Sequence, residues 1–146
     1  MSNDNAIEVY YDGNCPICLA EIDELSRGDR DNALSMVNCA AQGFESQSPD
    51  GVPKQADLMQ ALHIRENGEW VSGPAAFARI YERLGMTRMA RFWGSRAFKP
   101  VVHGIYRLFV ITRPLLARLG MARLVRWFVR RELRHTGAAP DAETRP

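Results

Sequence analysis

Cys15 and Cys18 are separated by Pro16 and Ile17. Two thiols at that spacing support two chemistries, reversible closure to a disulfide or half of a tetrahedral zinc site. The flanking sequence separates the two. Ile7 to Tyr11 is a short apolar run that reads as a strand, and Asp12-Gly13-Asn14 reads as a tight turn. The cysteines then open an amphipathic stretch that reads as a helix to about Arg27. A strand, a turn and a helix whose first turn carries both cysteines is the arrangement of a redox dithiol.

The position accounts for the expected reactivity. With Cys15 as N-cap, Pro16 falls on the first helical residue, where its missing N–H costs nothing and its fixed φ suits the helix. The Cys15 sulfur then faces free amides of the first turn, including that of Cys18, and the positive end of the helix dipole. Both favour thiolate over thiol and pull the pKa below the ~8.5 of free cysteine. Cys15 therefore reads as the attacking nucleophile. Cys18, one turn inward and expected to be less exposed, reads as the residue that resolves a mixed disulfide. Asp12 has three readings: a charge opposing the thiolate, a proton acceptor in the resolving step, or an Asx-turn that ties the loop.

Tyr11-Asp12-Gly13-Asn14-Cys15-Pro16-Ile17-Cys18, followed by the apolar and acidic helix Leu19 to Leu25, resembles the DCC family of thiol-disulfide oxidoreductases, named for its Asp, Cys and Cys. Further matches are Asn38, Ala61-Leu62-His63, Trp70 to Gly73 with Ala76-Phe77, and Tyr106-Arg107, so the resemblance spans residues 6–118. It implies a thioredoxin-like fold and protein-disulfide reductase activity, with Asp12, Cys15 and Cys18 in the site and no organic cofactor. The substrate would be a disulfide-bearing protein or small molecule, and an electron donor that the sequence does not identify would restore the dithiol.

The elements that must position the dithiol follow from periodicity. Leu34 to Val37 reads as a second strand, parallel to the first through the helix between them. Residues 40–52 are polar and Gly/Ser/Pro-rich, a loop. Residues 53–62 read as a helix with Ala56, Met59, Ala61 and Leu62 inward. His63 to Glu66 and Glu69 to Ser72 flank Asn67-Gly68, a two-residue hairpin signal because both turn positions favour positive φ. Pro74 to Leu84 reads as a helix with Phe77, Ile80 and Leu84 on one face. The expected class is α/β, a thioredoxin-like βαβαββα core over residues 5–118, a basic amphipathic helical extension over 119–135 and a flexible tail over 136–146. One departure stands out: no proline precedes the third strand, where thioredoxins carry a cis-proline beside the dithiol, since Leu62 precedes His63.

At 146 residues and 46% hydrophobic content the chain can bury one core without disulfide staples. Three cysteines are too few for a secreted framework, and residues 1–6 lack the basic-then-apolar pattern of a signal peptide, so a reducing cytoplasm is expected. Residues 1–78 carry 4 basic and 13 acidic side chains, net −9, while 79–135 carry 14 and 2, net +12. Residues 87–98 read as a basic, aromatic helix. Residues 101–112 are apolar, interrupted by His103 and Arg107, and stop at Arg113-Pro114, short of the ~20 residues of a membrane span. In residues 121–134, Met121, Leu124, Val125, Phe128 and Val129 share one helical face and Arg123, Arg126, Arg130 and Arg134 the other. That helix either closes the core with its arginines solvated or lies on an anionic membrane surface as a partner-binding, non-catalytic module would. Nothing beyond arginine content points to nucleic acid. Cys39 reads as a small buried side chain and His63 as a structural imidazole, although Cys15, Cys18, Cys39 and His63 formally add up to a zinc tetrad.

Overall fold

The computed structural model describes residues 6–44, 53–96 and 99–135. Expectations for residues 45–52, Phe98 and the tail 136–146 lie outside the described residues. Four strands, β1 (Ile7–Tyr11), β2 (Leu34–Asn38), β3 (His63–Glu66) and β4 (Glu69–Ser72), form one sheet in the order β2-β1-β3-β4. β1 runs parallel to β2 and antiparallel to β3, which pairs antiparallel with β4. Asn67 and Gly68 both take positive φ, 50° and 84°, as the tight hairpin requires.

Helices α1 (Pro16–Gly28), α2 (Gln55–Gln60) and α3 (Pro74–Arg83) complete the βαβαββα core, and α4 (Thr87–Gly94), α5 (Lys99–Arg118) and α6 (Met121–His135) follow it. The core gathers Ile7 and Val9 of β1, Ile22 and Leu25 of α1, Ile64 of β3, and Phe77, Ile80 and Tyr81 of α3. Alternation along β1 explains its share, since Ile7 and Val9 point to one face while Glu8 and Tyr10 point to the other. On that second face the Tyr10 and Trp70 rings meet at 4.9 Å.

Three local expectations need correction. α2 spans six residues, so it turns one side chain, Leu58, fully inward; Ala56 is exposed, and Ala61 is already extended (φ −141°, ψ 154°) on the way into β3. α4 stops at Gly94 rather than Phe98. α5 does not break at Arg113-Pro114: the helix continues with Pro114 inside it. A proline there forfeits the bond to the carbonyl four residues earlier, Val110. Among the described residues no helix is long and apolar enough to cross a membrane. No described peptide bond is cis, and the chain entering β3 is held instead by the Tyr106 hydroxyl, which accepts from the Leu62 amide at 3.2 Å.

α6 packs along α1, and its arginines are not simply solvated. Arg130 donates from Nε and Nη2 to the two carboxylate oxygens of Glu24, at 3.1 and 2.7 Å, and Arg126 approaches Asp23 and Glu24 at 3.8 Å. Glu24 is 2% exposed, and Leu133 and Val129 close the apolar layer beside it. Leu133 lies over Gly28, where a Cβ would come within 2.5 Å of the leucine methyl carbon.

Removing one partner of a buried pair strands the other's charge, which costs more than the pair contributes. Arg130 is 45% exposed and Arg126 stands by, so Arg130→Leu is expected to destabilise by only about 1–3 kcal/mol. The double variant Glu24→Leu/Arg130→Leu should recover most of that loss, as urea denaturation midpoints at constant slope would show.

Candidate active site

The turn that presents the cysteines is fastened at three points. The Gly13 amide donates to Asn38 Oδ1 at 3.1 Å, and the same oxygen accepts from the Ala40 amide at 2.9 Å, tying the end of β1 to the end of β2. A Cβ at Gly13 would sit 2.2 Å from that oxygen, so a larger residue there would displace the Asn38 side chain from both amides. Asp12 forms the Asx-turn, its Oδ1 accepting from the Asn14 amide at 2.9 Å, while its carbonyl accepts from the Cys15 amide at 3.2 Å.

Cys15 is the N-cap of α1, with extended backbone (φ −93°, ψ 114°), and its sulfur accepts from the Cys18 amide at 3.5 Å. Pro16 occupies the first turn as expected. The decisive addition comes from α5. Arg113 donates from Nε to Cys15 Sγ at 3.0 Å and from Nη2 to Cys18 Sγ at 3.2 Å, and Nη2 also pairs with Asp12 Oδ2 at 3.4 Å. Its Nη1 donates to the Met59 and Gln60 carbonyls at 3.4 and 3.5 Å, which anchors the end of α2 to the site. One guanidinium thus joins Asp12, Cys15 and Cys18, the three residues singled out by the sequence.

These contacts shift the two thiols apart. Cys15 is lowered to about 5 by the hydrogen bond from the Cys18 thiol, the Cys18 amide and the bond and charge of Arg113, together outweighing burial. Cys18 is raised by its bond to Cys15 and by burial, with Arg113 acting against them. A thiolate at position 15 beside a thiol at 18 is the division of roles exchange needs.

Exposure runs opposite to expectation. Cys15 is only 6% exposed, because the guanidinium lies against its sulfur, while Cys18 as a residue is half-buried. Cys15 nevertheless borders the outer cleft, about 460 Å³ between Asn14, Pro16, Met59, Gln60 and Pro114. Cys18 faces an inner pocket of about 30 Å³, room for a water or two, which it shares with Glu21 and Tyr106.

Glu21 and Arg113 are absent from the sequence-derived site. Glu21, one turn past Cys18, accepts a hydrogen bond from the Tyr81 hydroxyl of α3, and burial pushes its carboxyl up to about 7. The available sequence signal for Arg113 was an arginine placed just before a proline in an apolar helix, on the same face as Tyr106. Cys39 stays apart: it is fully buried, its thiol is pushed up to about 11 by burial, and it donates to the Val37 carbonyl at 3.9 Å. His63 Nδ1 pairs with the Ala61 carbonyl at 2.8 Å. Among the described residues no three His, Cys, Asp or Glu side chains converge as a metal site, so the formal tetrad is not assembled.

A family model described as DCC1-like thiol-disulfide oxidoreductase matches residues 9–119. An uncharacterized chloroplastic protein of Arabidopsis thaliana is 27% identical over 124 residues, covering 80% of this chain and 58% of its own length. The chain therefore spans little more than half of that relative. No solved structure matches.

Two outcomes follow from the electrostatics. In Arg113→Met the midpoint of Cys15 alkylation against pH moves up from about 5, and the rate at pH 6 falls by about tenfold, as iodoacetamide kinetics would read. For Glu21 the folded pKa, about 7, exceeds the ordinary 4.5, so its contribution to stability is complete below pH 4.5 and lost as pH rises through 7. Relative to Glu21→Gln, the wild type should lose on the order of 2–3 kcal/mol across that window in denaturation midpoints.

Proposed function

The chain belongs to the DCC1-like thiol-disulfide oxidoreductase family, and we propose that it acts as a protein-disulfide reductase through Cys15 and Cys18. The observation that carries this reading is the contact of one guanidinium with both sulfurs, at 3.0 and 3.2 Å, on the N-terminus of α1.

The Cys15 thiolate attacks one sulfur of a substrate disulfide in the outer cleft. The substrate S–S bond breaks, a mixed disulfide forms, and the departing thiolate takes a proton from solvent. Because Cys15 is covered by Arg113, the incoming disulfide takes over part of the space beside the guanidinium. Once Cys15 is bonded to substrate its negative charge is gone. The bond and charge that raised Cys18 vanish with it, and Arg113 acts on Cys18 alone, favouring ionisation. Cys18 gives up its proton and attacks Cys15, which closes the enzyme disulfide and releases the second substrate thiolate. Two electrons leave the enzyme and the substrate ends as two thiols. An external dithiol or comparable two-electron donor then restores the pair.

Two carboxylates border the resolving step. Asp12 is engaged by Arg113 and by the Asn14 amide, which suits it to orienting the cation. Glu21 lines the inner pocket with Cys18 and is raised to about 7, close to balanced ionisation at neutral pH, so we assign it the Cys18 proton. No organic cofactor enters these steps, and we place them in a compartment such as the cytoplasm that keeps thiols reduced.

Insulin reduction with dithiothreitol as donor tests the assignment. Wild type should accelerate precipitation of the insulin B chain, Cys15→Ser should fall to the uncatalysed rate, and Cys18→Ser should accumulate a mixed disulfide visible by mass spectrometry. Activity indifferent to Cys15→Ser would remove the proposed nucleophile.

A further inference from the structure

α5 has two unlike faces. Tyr106 and Arg113 point inward to Leu62 and the dithiol, whereas Val101, Ile105, Leu108, Ile111, Leu115 and Leu119 point outward and are each more than half exposed. Their spacing draws one apolar stripe along the helix. α6 continues the exposed apolar surface with Leu124, Trp127 and Phe128, and the Arg131 guanidinium stacks over Trp127 at 5.5 Å. A contiguous apolar face of this extent marks an interaction site.

Charge identifies what covers it. Between Glu82 and Glu132 the sequence has no acidic residue and 12 arginines and lysines. Arg83, Arg113, Arg126 and Arg130 are engaged with Glu66, the dithiol, Asp23 and Glu24. Arg107, Arg118 and Arg123 are exposed and have no acidic partner among the described residues. Arg107 and Arg118 each lie one turn from the stripe, beside Ile111 and Leu115. A second copy of the chain would bring two such cationic faces together. A nucleic acid would neutralise the arginines but leave the stripe in water. Only a surface both anionic and apolar beneath satisfies both features. A cavity of about 600 Å³ with apolar walls also opens on this side past Ile105, Leu124 and Phe128, and such a covering would shield its mouth from water.

We propose that the outward face of α5, extended by Leu124, Trp127 and Phe128 of α6, lies on an anionic membrane surface, with the dithiol carried on the opposite side of α5. This differs from the expectation drawn from α6 alone, because part of that helix's apolar face is committed to the core through Val129 and Leu133.

Co-sedimentation of the full chain with vesicles tests it, comparing phosphatidylglycerol/phosphatidylcholine mixtures with phosphatidylcholine alone. Binding is expected to the anionic vesicles and to weaken with salt. Arg118→Gln and Arg123→Gln should each lower partitioning about fivefold. Leu108→Glu and Leu115→Glu should each lower it about tenfold or more, with unchanged circular-dichroism melting, since both side chains are exposed. Equal sedimentation with both vesicle types, none with either, or a solution dimer that Leu115→Glu dissociates would overturn the proposal. None of these readouts depends on the redox assignment.

Discussion

The position of the Arg113 guanidinium is the constraint on which the site depends. A helix N-terminus alone lowers a thiol pKa modestly. Here a full positive charge is added to the dipole and partly withdrawn from water, where its interactions are stronger. In the exchange proposed above, the same cation serves both halves. It stabilises Cys15 as thiolate at rest, and it stands ready to stabilise Cys18 once Cys15 is covalently occupied. Asp12 and the Met59 and Gln60 carbonyls hold the guanidinium in a plane from which it reaches both sulfurs.

Much of this arrangement was legible in the sequence because it is local. The N-cap role of Cys15, the place of Pro16, the parallel strand pair and the Asn67-Gly68 hairpin each depend on residues a few positions apart. Asn38 was visible as a family match, and its reason emerges from packing: its side-chain oxygen fills the space that a Cβ on residue 13 would need. Arg113 was not legible. It lies 98 residues from Cys15, and in the sequence it marks the end of an apolar run, where a following proline ordinarily argues for a helix boundary. The tertiary contacts of Arg113 override that local signal. Glu21 escaped for a related reason, since a glutamate in an amphipathic helix reads as a solvated residue until the Tyr81 hydroxyl from another helix is seen on it.

The opposed charges of the two halves of the chain also resolve into particular pairs. Glu24 with Arg130, Asp23 with Arg126, Glu66 with Arg79 and Arg83, and Asp12 with Arg113 join the acidic front to the basic back. The exposed pairs among them, Asp23 with Arg126 and Glu66 with Arg79, contribute little each. Glu24 differs because it is buried under α6, and it fixes α6 on the C-terminal half of α1.

That attachment connects the C-terminal helices to the chemistry by two routes. α5 supplies the cation at the N-terminal end of α1, and α6 grips the same helix near its C-terminal end, through Glu24 and through Leu133 over Gly28. The direction of α1 relative to Arg113 is therefore set at both ends. A rotation of α1 by a fraction of a turn would carry Cys18 away from the guanidinium while leaving the sheet intact, because contact at 3.2 Å tolerates little displacement before a charge-assisted hydrogen bond weakens. The helices beyond the βαβαββα core are thus part of the geometry of the Cys15–Cys18 site. A chain that kept the strands and the Cys-x-x-Cys turn but lost α5 and α6 would retain an N-capping thiol without the cation that distinguishes its two sulfurs.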